Sequence, residues 1–327
     1  MRMGAGAGRS VPLAALVGAN GPESPVPPAD TLKKTTSSVG RPRRLEVITV
    51  KLALMQANSS VLDIERNCAA IDRAAQRAAE AGAAVLLTPE LFPVGYAPLR
   101  IRAELDPETL PGIRRTLAGI AAARRIALVY SLPAVTADGQ WQITATVLDG
   151  RGDELLSYAK VHLFGPDERR AFSPAEAAPA VVEVGGIKTS LAICYDVEFP
   201  ETVRAAAAAG ADLLLVPTAL AHGFESVPQL LLRARALESQ LTVAYANHSG
   251  EEDGCTFLGG SVIAGPDGGL LAAAGPHPEL LYAEVSAEAA RQARDAVPYL
   301  RERRPDVYRA WEEARRAEED GGAATPS

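Results

Sequence analysis

The sequence has few of the residues that build disulfide frameworks and metal sites. Its 327 residues include three cysteines and four histidines. Three cysteines in a chain of this length do not make a disulfide framework, so we predict a reducing, cytoplasmic location. The histidines show no metal-ligand spacing such as His-x-x-x-His, and the sequence therefore predicts no metal site.

Long apolar runs and an excess of positive charge are also missing. No stretch approaches the roughly 18 to 20 apolar residues that span a bilayer. The net charge of −7 argues against nucleic acid or an anionic membrane as the main partner. We therefore expect neither a nucleic-acid-binding nor a membrane protein.

What the chain does have is enough apolar material for a large core. Apolar residues make up 47% of the sequence, which is typical of a globular protein. Residues 1–45 are rich in Gly, Pro, Ser and Ala and predict a disordered N-terminal extension. Residues 316–327 predict a flexible tail. The folded domain is expected over residues 46–315.

Strand-like and helix-like patterns alternate through this region in two similar halves. The first half runs from the strand "EVITVKLALMQ" through a helix with apolar residues at spacings of three and four to the strand "AAVLLTP". The second half repeats the order with "IKTSLAIC", "ADLLLVP" and "LTVAYAN". Two β-α-β-α-β halves without a linker predict a single α/β domain in which two sheets lie between outer helices.

Three residues of complementary chemistry follow three of the predicted strands. Glu90 follows "AVLLTP", Lys160 follows "LLSYA", and Cys194 follows "TSLAI". Ligands bind beyond the carboxyl ends of strands in open α/β sheets, so we expect a site there.

Each of these residues also has a simpler interpretation. Cys194 is either a buried core cysteine or a nucleophile whose thiol pKa is lowered by the N-terminus of the next helix. Glu90 is either a solvated loop carboxylate or a general base with a pKa raised by burial. Lys160 is either a surface charge or an oxyanion-stabilising ammonium. Glu168 either pairs with Lys160 or is an exposed acid.

The three stretches together resemble the nitrilase (carbon–nitrogen hydrolase) superfamily. They are "LLTPELFPVGY", "YAKVHLFGPDERRAFSPA" and "LAICYDVEFPETVR", and the likeness extends from about residue 48 to residue 310. The resemblance implies a nitrilase-like four-layer α-β-β-α sandwich, which agrees with the alternating pattern. It also makes residues 46–315 a carbon–nitrogen hydrolase domain.

The resemblance implies a catalytic triad of Glu90, Lys160 and Cys194, with Glu168 as a second glutamate. Glu90 would take the proton of the Cys194 thiol, and the thiolate would attack an amide carbonyl. Lys160 and the backbone N–H of Tyr195 would stabilise the oxyanion. The family needs no cofactor, and Cys68 and Cys255 match none of its catalytic positions, so we predict that both are structural.

Residues after the nucleophile distinguish branches of the superfamily. Nitrile-hydrolysing members typically have Cys-Trp-Glu where this chain has Cys194, Tyr195 and Asp196, so an amide is the expected substrate. Hydrolases of N-carbamoyl amino acids tend to carry two arginines where this chain has Val197 and Glu198. The sequence of these stretches is most similar to that of aliphatic amidases that act on 5-aminopentanamide and of R-stereoselective amidases.

These likenesses predict an amidohydrolase that cleaves a small primary aliphatic amide. Glu198 would suit an ω-amino or ω-guanidino tail, or it is a fold-stabilising carboxylate. Ala219, His222 and Phe224 are expected to line the acyl pocket. The alternatives are acyl transfer to an amine, hydrolysis of an N-carbamoyl amide, and a non-catalytic binding protein.

The segment "PYLRERRPDVYRAWEEARR" resembles the C-terminal segment through which relatives associate. It predicts a homodimer or a higher homo-oligomer, and a solvated charged helix is the alternative.

Overall fold

Two six-stranded β-sheets form the centre of the molecule. The computed structural model describes residues 48–322, so the predicted extension over residues 1–45 lies outside the described residues. The described residues all fall within one compact unit, so the two halves share a single domain.

The first sheet has the strand order β14-β1-β2-β3-β4-β5. Strands β1, β2 and β3 are parallel, and the other pairs are antiparallel. The sequence pattern did not predict β14, which pairs with the first strand of the domain. The bounds are β1 Thr49–Gln56, β2 Val85–Leu87, β3 Ala127–Val135, β4 Trp141–Leu148, β5 Glu154–Ala159 and β14 Glu279–Ser286.

The second sheet has the order β13-β12-β9-β8-β7-β6, with β7, β8 and β9 parallel. Its outer hairpins turn at Gly185-Gly186 and at residues 266–269, as the sequence predicted. A separate ribbon of β10 and β11 was not predicted. The bounds are β6 Val181–Val184, β7 Ile187–Leu191, β8 Leu213–Pro217, β9 Thr242–Ala246, β10 Ser249–Glu252, β11 Cys255–Leu258, β12 Val262–Ala264 and β13 Leu270–Ala273.

Nine α-helices occur within residues 48–322. The helix predicted over residues 226–240 begins with a wider turn at Val227–Leu231 before it becomes regular. The bounds are α1 Ile64–Glu80, α2 Pro98–Glu104, α3 Leu110–Arg124, α4 Gly165–Ala171, α5 Pro200–Ala208, α6 Leu232–Ser239, α7 Ala287–Ala296, α8 Tyr299–Glu302 and α9 Pro305–Gly322.

The first helix shows how local sequence fixes its ends and its buried face. The Asp63 side chain accepts a hydrogen bond from the backbone N–H of Arg66 (3.1 Å) and caps the N-terminus. The helix ends before Gly82, whose φ of +76° suits glycine. Its apolar stripe, which includes Ile71 and Ala75, is fully buried. The 3.6-residue period therefore places this helix on a sheet.

The core is divided into an inner and an outer part by the second sheet. Apolar side chains from both sheets pack together with α1 and α3 in one cluster. A second cluster joins the other face of the second sheet to α5 and α6. The layers are therefore helix, sheet, sheet and helix, which confirms the predicted four-layer sandwich. Replacing a fully buried leucine of the first cluster, such as Leu117 of α3, by alanine lowers the free energy of unfolding by about 2–5 kcal/mol.

The C-terminal helix α9 extends past the boundary at which the sequence predicted a tail. Residues 316–322 belong to this helix, and residues 323–327 lie outside the described part. Trp311 on α9 is 64% exposed. The homo-oligomer predicted from this segment stays a prediction. Over residues 48–322 no helix combines the length and the apolar character that crossing a membrane requires.

Substituting Gly152 tests the packing of the β4–β5 turn on α3. Its φ is +89°, and an added Cβ would lie 2.5 Å from the carbonyl oxygen of Ala118. Gly139 in the β3–β4 turn has a φ of +79° but no neighbour within 4 Å. We expect Gly139→Ala to lower the free energy of unfolding by about 1–2 kcal/mol. Gly152→Ala should lower it by about 1–3 kcal/mol more, because of the overlap.

Equilibrium urea unfolding of both variants measures this difference. Equal losses at the two positions would contradict the close approach of the turn to α3.

Candidate active site

The residues predicted after three strands meet at one buried point. Glu90 follows β2, Lys160 follows β5, and Cys194 follows β7. The Lys160 Nζ donates to Glu90 Oε1 (2.8 Å) and to both carboxylate oxygens of Glu168 (2.8 and 2.9 Å). None of these side chains is more than a few per cent exposed. The structure therefore brings together all four predicted catalytic residues, in the interior.

Lys160 is held as a cation by its two carboxylate partners. Burial alone would lower its pKa, but the charges of Glu90 and Glu168 outweigh burial and raise the pKa above its ordinary value. Glu168 is fixed in turn by the backbone N–H of Phe164 (2.8 Å) and the hydroxyl of Tyr96 (2.6 Å). The ammonium is thus a fixed positive charge in a low-dielectric site.

Glu90 combines an ionic partner with a free oxygen. Burial raises its pKa to about 7, and Glu168 adds to this effect, while Lys160 and Cys194 act in the opposite direction. Its Oε1 accepts from Lys160, whereas its buried Oε2 has no protein hydrogen-bond partner in the described part of the chain. A carboxylate with a free oxygen and a pKa near neutrality is suited to move a proton.

Cys194 lies on a strained turn. Its φ is +47°, a left-handed conformation that residues with a Cβ rarely adopt. The turn is a short 3-10 segment over Cys194–Glu198, and the regular helix α5 begins only at Pro200. The strain presents the thiol at the end of the strand, as in other nucleophile turns.

The expected effect of a helix on the thiol was wrong. The pKa of Cys194 is raised, first by burial and then by the negative charge of Glu90, although Lys160 lowers it. The regular helix α5 starts six residues after the cysteine, at Pro200. The resting nucleophile is therefore a neutral thiol that needs a base.

A buried aspartate fixes the turn that carries the nucleophile. Asp196 Oδ2 accepts from the backbone N–H of Ile193 (3.2 Å) and from the hydroxyl of Tyr158 (3.0 Å). Its Oδ1 accepts from the backbone N–H of His162 (2.8 Å) and lies 2.9 Å from His162 Nδ1. These bonds satisfy the carboxylate internally, and they tie the cysteine turn to the segment that follows Lys160.

A cavity of about 270 Å³ opens onto Cys194. Leu99, Phe164 and Phe224 are each about two-fifths exposed and contribute apolar surface to its wall. This volume lies just below the usual range for small-molecule sites, which begins at about 300 Å³. Five acidic residues are also among those that line the cavity, namely Asp167, Glu168, Glu198, Glu252 and Asp253.

The predicted binding residues divide between the cavity and its surroundings. Glu198, Ala219 and Phe224 line the cavity, whereas His222 lies at a separate surface pocket. The Tyr195 side chain packs edge-on against Phe164 and Phe199, outside the set of residues that lines the cavity. Its predicted contribution therefore reduces to its backbone N–H.

Sequence reasoning missed several residues of the site. Cys255, predicted to be structural, lies in the cavity wall. Tyr96 holds Glu168 and lies within the quoted motif "LFPVGY", so its position in the motif was the available signal. His248 and Glu252 form a buried pair behind Glu90 (2.7 Å). The four-residue spacing of His248 and Glu252 did not indicate a site, because the ribbon that carries Glu252 was not predicted.

Known proteins share this architecture. Residues 51–295 match the family described as carbon-nitrogen hydrolase. A solved form of the amidase from Nesterenkonia sp. AN1, in complex with butyramide, is 49% identical, with a TM-score of 0.75 over 80% of this chain and 97% of that one. A glutamate-to-glutamine mutant of that amidase carries the acetamide moiety of fluoroacetamide added covalently at the active-site cysteine; it is 48% identical, with a TM-score of 0.75 over 80% of this chain and 96% of that one.

A curated relative gives the same result. The protein called "Hydrolase in pqqF 5'region" of Pseudomonas protegens is 37% identical over 264 residues, which are 80% of this chain and 92% of that protein. The family match and this relative each cover most of the chain. The chain therefore belongs to the carbon–nitrogen hydrolase family, within the nitrilase superfamily, and is a hydrolase of carbon–nitrogen bonds other than peptide bonds.

Proposed function

We propose that this protein hydrolyses small primary aliphatic amides to a carboxylate and ammonia through a thioester on Cys194. The observation that carries the proposal is the contact of Lys160 with both Glu90 and Glu168 next to that thiol. The butyramide bound by the Nesterenkonia amidase supports a short acyl chain. We also propose residues 46–315 as the catalytic domain, which the family match over residues 51–295 supports.

Acylation begins with a proton transfer between neighbouring side chains. Oε2 of Glu90 takes the thiol proton of Cys194, and the sulfur attacks the amide carbonyl carbon. The carbonyl oxygen becomes an oxyanion beside the Lys160 ammonium and the backbone N–H of Tyr195. The carbon–nitrogen bond then breaks, and Glu90 returns the proton to the departing ammonia.

Deacylation uses the same groups with water as the nucleophile. Glu90 removes a proton from water, whose oxygen attacks the thioester carbonyl. The carbon–sulfur bond breaks, the proton returns to the sulfur of Cys194, and the carboxylic acid leaves. Lys160 stays protonated throughout, because Glu168 remains an anionic partner that raises its pKa while Glu90 carries the transferred proton. The ammonium therefore contributes a fixed charge and no proton.

Mass spectrometry of an acyl adduct tests the nucleophile. Mixed with a panel of primary amides, the wild type should show an acyl mass on the peptide that contains Cys194. Cys194→Ala should lose both the adduct and the turnover, whereas Cys255→Ala in the same cavity should keep both. An adduct on Cys255, or turnover by Cys194→Ala, would refute the mechanism. If amines are added to the reaction and new amides form from them, the result favours acyl transfer over hydrolysis.

The pKa of Glu90 predicts an acid limb in the pH profile. Because the protonated carboxyl cannot accept the thiol proton, kcat/KM should fall tenfold per pH unit below about pH 7. Glu90→Gln should lower kcat by at least about 10²-fold at all pH values. Steady-state kinetics from pH 5 to pH 9 measure both effects. Glu198→Gln is the control. If this substitution shifts the pH at which kcat/KM falls, the titrating group is Glu198 rather than Glu90.

The charge of the cavity supports a cationic substrate tail. Glu198 and Asp167 line it, and so does Asp253, which pairs with Arg100 (3.5 Å). Arg235 donates to the backbone carbonyl of Glu198 (2.6 Å) rather than to its carboxylate. Burial raises the pKa of Glu198, while Arg235 and Lys160 act in the opposite direction. We therefore favour a substrate-facing role for this carboxylate over a purely structural one.

Comparison of three amides tests the preference for a cation. We expect kcat/KM for 5-aminopentanamide and 4-guanidinobutanamide to exceed that for butanamide. Glu198→Gln should reduce the advantage of the two cationic amides by about 10-fold, which corresponds to about 1.4 kcal/mol, and should leave butanamide within about 2-fold. Equal values for all three amides in the wild type would exclude the cationic preference and leave the amidase proposal intact.

A further inference from the structure

A second buried ion pair lies directly behind the general base. His248 follows β9, and Glu252 ends β10; both are buried. The Nδ1 of His248 lies 2.7 Å from Glu252 Oε1, and its Nε2 lies 2.6 Å from the backbone carbonyl oxygen of Glu90. The imidazole therefore bridges the ribbon to the main chain of Glu90.

Donor and acceptor chemistry fixes the protons of this pair. A carbonyl oxygen only accepts, so Nε2 of His248 must donate to Glu90. Glu252 also accepts from the backbone N–H of Ser59 (2.7 Å) and of Tyr96 (3.0 Å). Burial would raise the pKa of Glu252, but the charge and hydrogen bond of His248 lower it to about 2. The pair is therefore an imidazolium and a carboxylate, and both ring nitrogens donate.

The bond to Glu90 acts where the backbone is strained. Leu91, the next residue, has a φ of +54°. The backbone N–H of Glu90 donates to the carbonyl of Thr218 (3.2 Å), so the main chain of the base is held on both sides. A strained conformation persists only where the surrounding contacts fix it.

The same pair also reaches the second catalytic carboxylate. Glu252 Oε2 accepts from the backbone N–H of Tyr96, and the Tyr96 hydroxyl donates to Glu168 Oε1 (2.6 Å). Phe92 stacks on the His248 ring, with centroids 5.6 Å apart, and Phe257 lies 4.9 Å away. The ring is absent from the residues that line the cavity. Its influence on the reaction must therefore pass through the residues that it holds.

We propose that His248, fixed by Glu252, is a positioning residue that sets the orientation of Glu90 through its main-chain carbonyl. The inference rests on the proposed amidase function, because it assigns Glu90 the role of base. The hydrogen bond that Nε2 of His248 donates to Glu90 would therefore affect the chemical step, which is measured as kcat. His248 does not line the cavity itself, although its partner Glu252 does, so we expect its loss to change kcat more than KM.

Two substitutions of His248 separate its two hydrogen bonds. The side-chain amide of His248→Gln reaches the position of Nε2 and can still donate to Glu90. The shorter amide of His248→Asn reaches only the position of Nδ1. We expect His248→Asn to lower kcat by about 10–100-fold, as for other residues that orient a reacting group. His248→Gln should lose no more than about 5-fold, and KM should stay within about 2-fold in both variants.

The measurement corrects for protein that fails to fold. Covalent titration of Cys194 with fluoroacetamide counts intact sites, and kcat on butanamide is expressed per titrated site. Leu117→Ala, which truncates a fully buried side chain of α3, is the matched control. It should lower the melting temperature and leave kcat per site unchanged, since it removes packing alone.

Two different results separate the inference from the function on which it rests. If both His248 variants keep the wild-type kcat per site, or if Asn retains more activity than Gln, the positioning role is wrong. If the wild type turns over none of the amides but its Cys194 still reacts with fluoroacetamide, the proposed function fails instead. The rate of that alkylation then tests the effect of His248 on the Glu90–Cys194 pair without requiring hydrolysis of an amide bond. A His248→Asn rate equal to the wild-type rate would overturn the inference there too.

Discussion

The placement of one ammonium between two carboxylates is the constraint on which the site depends. Lys160 is fully buried, and a charge in such a place is unfavourable unless partners and hydrogen bonds compensate it. Glu90 and Glu168 provide that compensation, and each comes from a different segment. The sandwich brings the ends of β2 and β5 together, so the fold and the charge arrangement require each other.

The same arrangement explains why the nucleophile rests as a thiol. Burial and the two carboxylates disfavour a third anion at Cys194, and one ammonium does not reverse this effect. Charge separation is therefore postponed until a substrate carbonyl is present to receive it. The strained turn, fixed by Asp196, keeps the sulfur in place for that moment. Reactivity here comes from position and from a neighbouring base, rather than from an acidic thiol.

Sequence patterns predicted the layers and the hairpins well, because these depend on local periodicity and on turn residues. The apolar stripe of α1 and the Gly185-Gly186 turn are examples. Features formed by distant segments were beyond such reasoning. The pairing of β14 with β1 and the contact of His248 with Glu90 join residues more than 150 positions apart. The wrong expectation for the Cys194 pKa has the same origin, because burial and neighbouring charges are set by tertiary structure.

The pairing of β1 with β14, the first and the last strand of the domain, affects how the chain folds during translation. Gln56 lies opposite Glu279, so β1 leaves the ribosome long before its outer neighbour exists. At about 5–20 residues per second, this edge waits on the order of 10–45 s for its partner. During that interval a nearly continuous apolar strand offers unpaired backbone groups to any other nascent chain. One edge of β1 is therefore open to misassociation in the growing polypeptide until translation of β14 covers it.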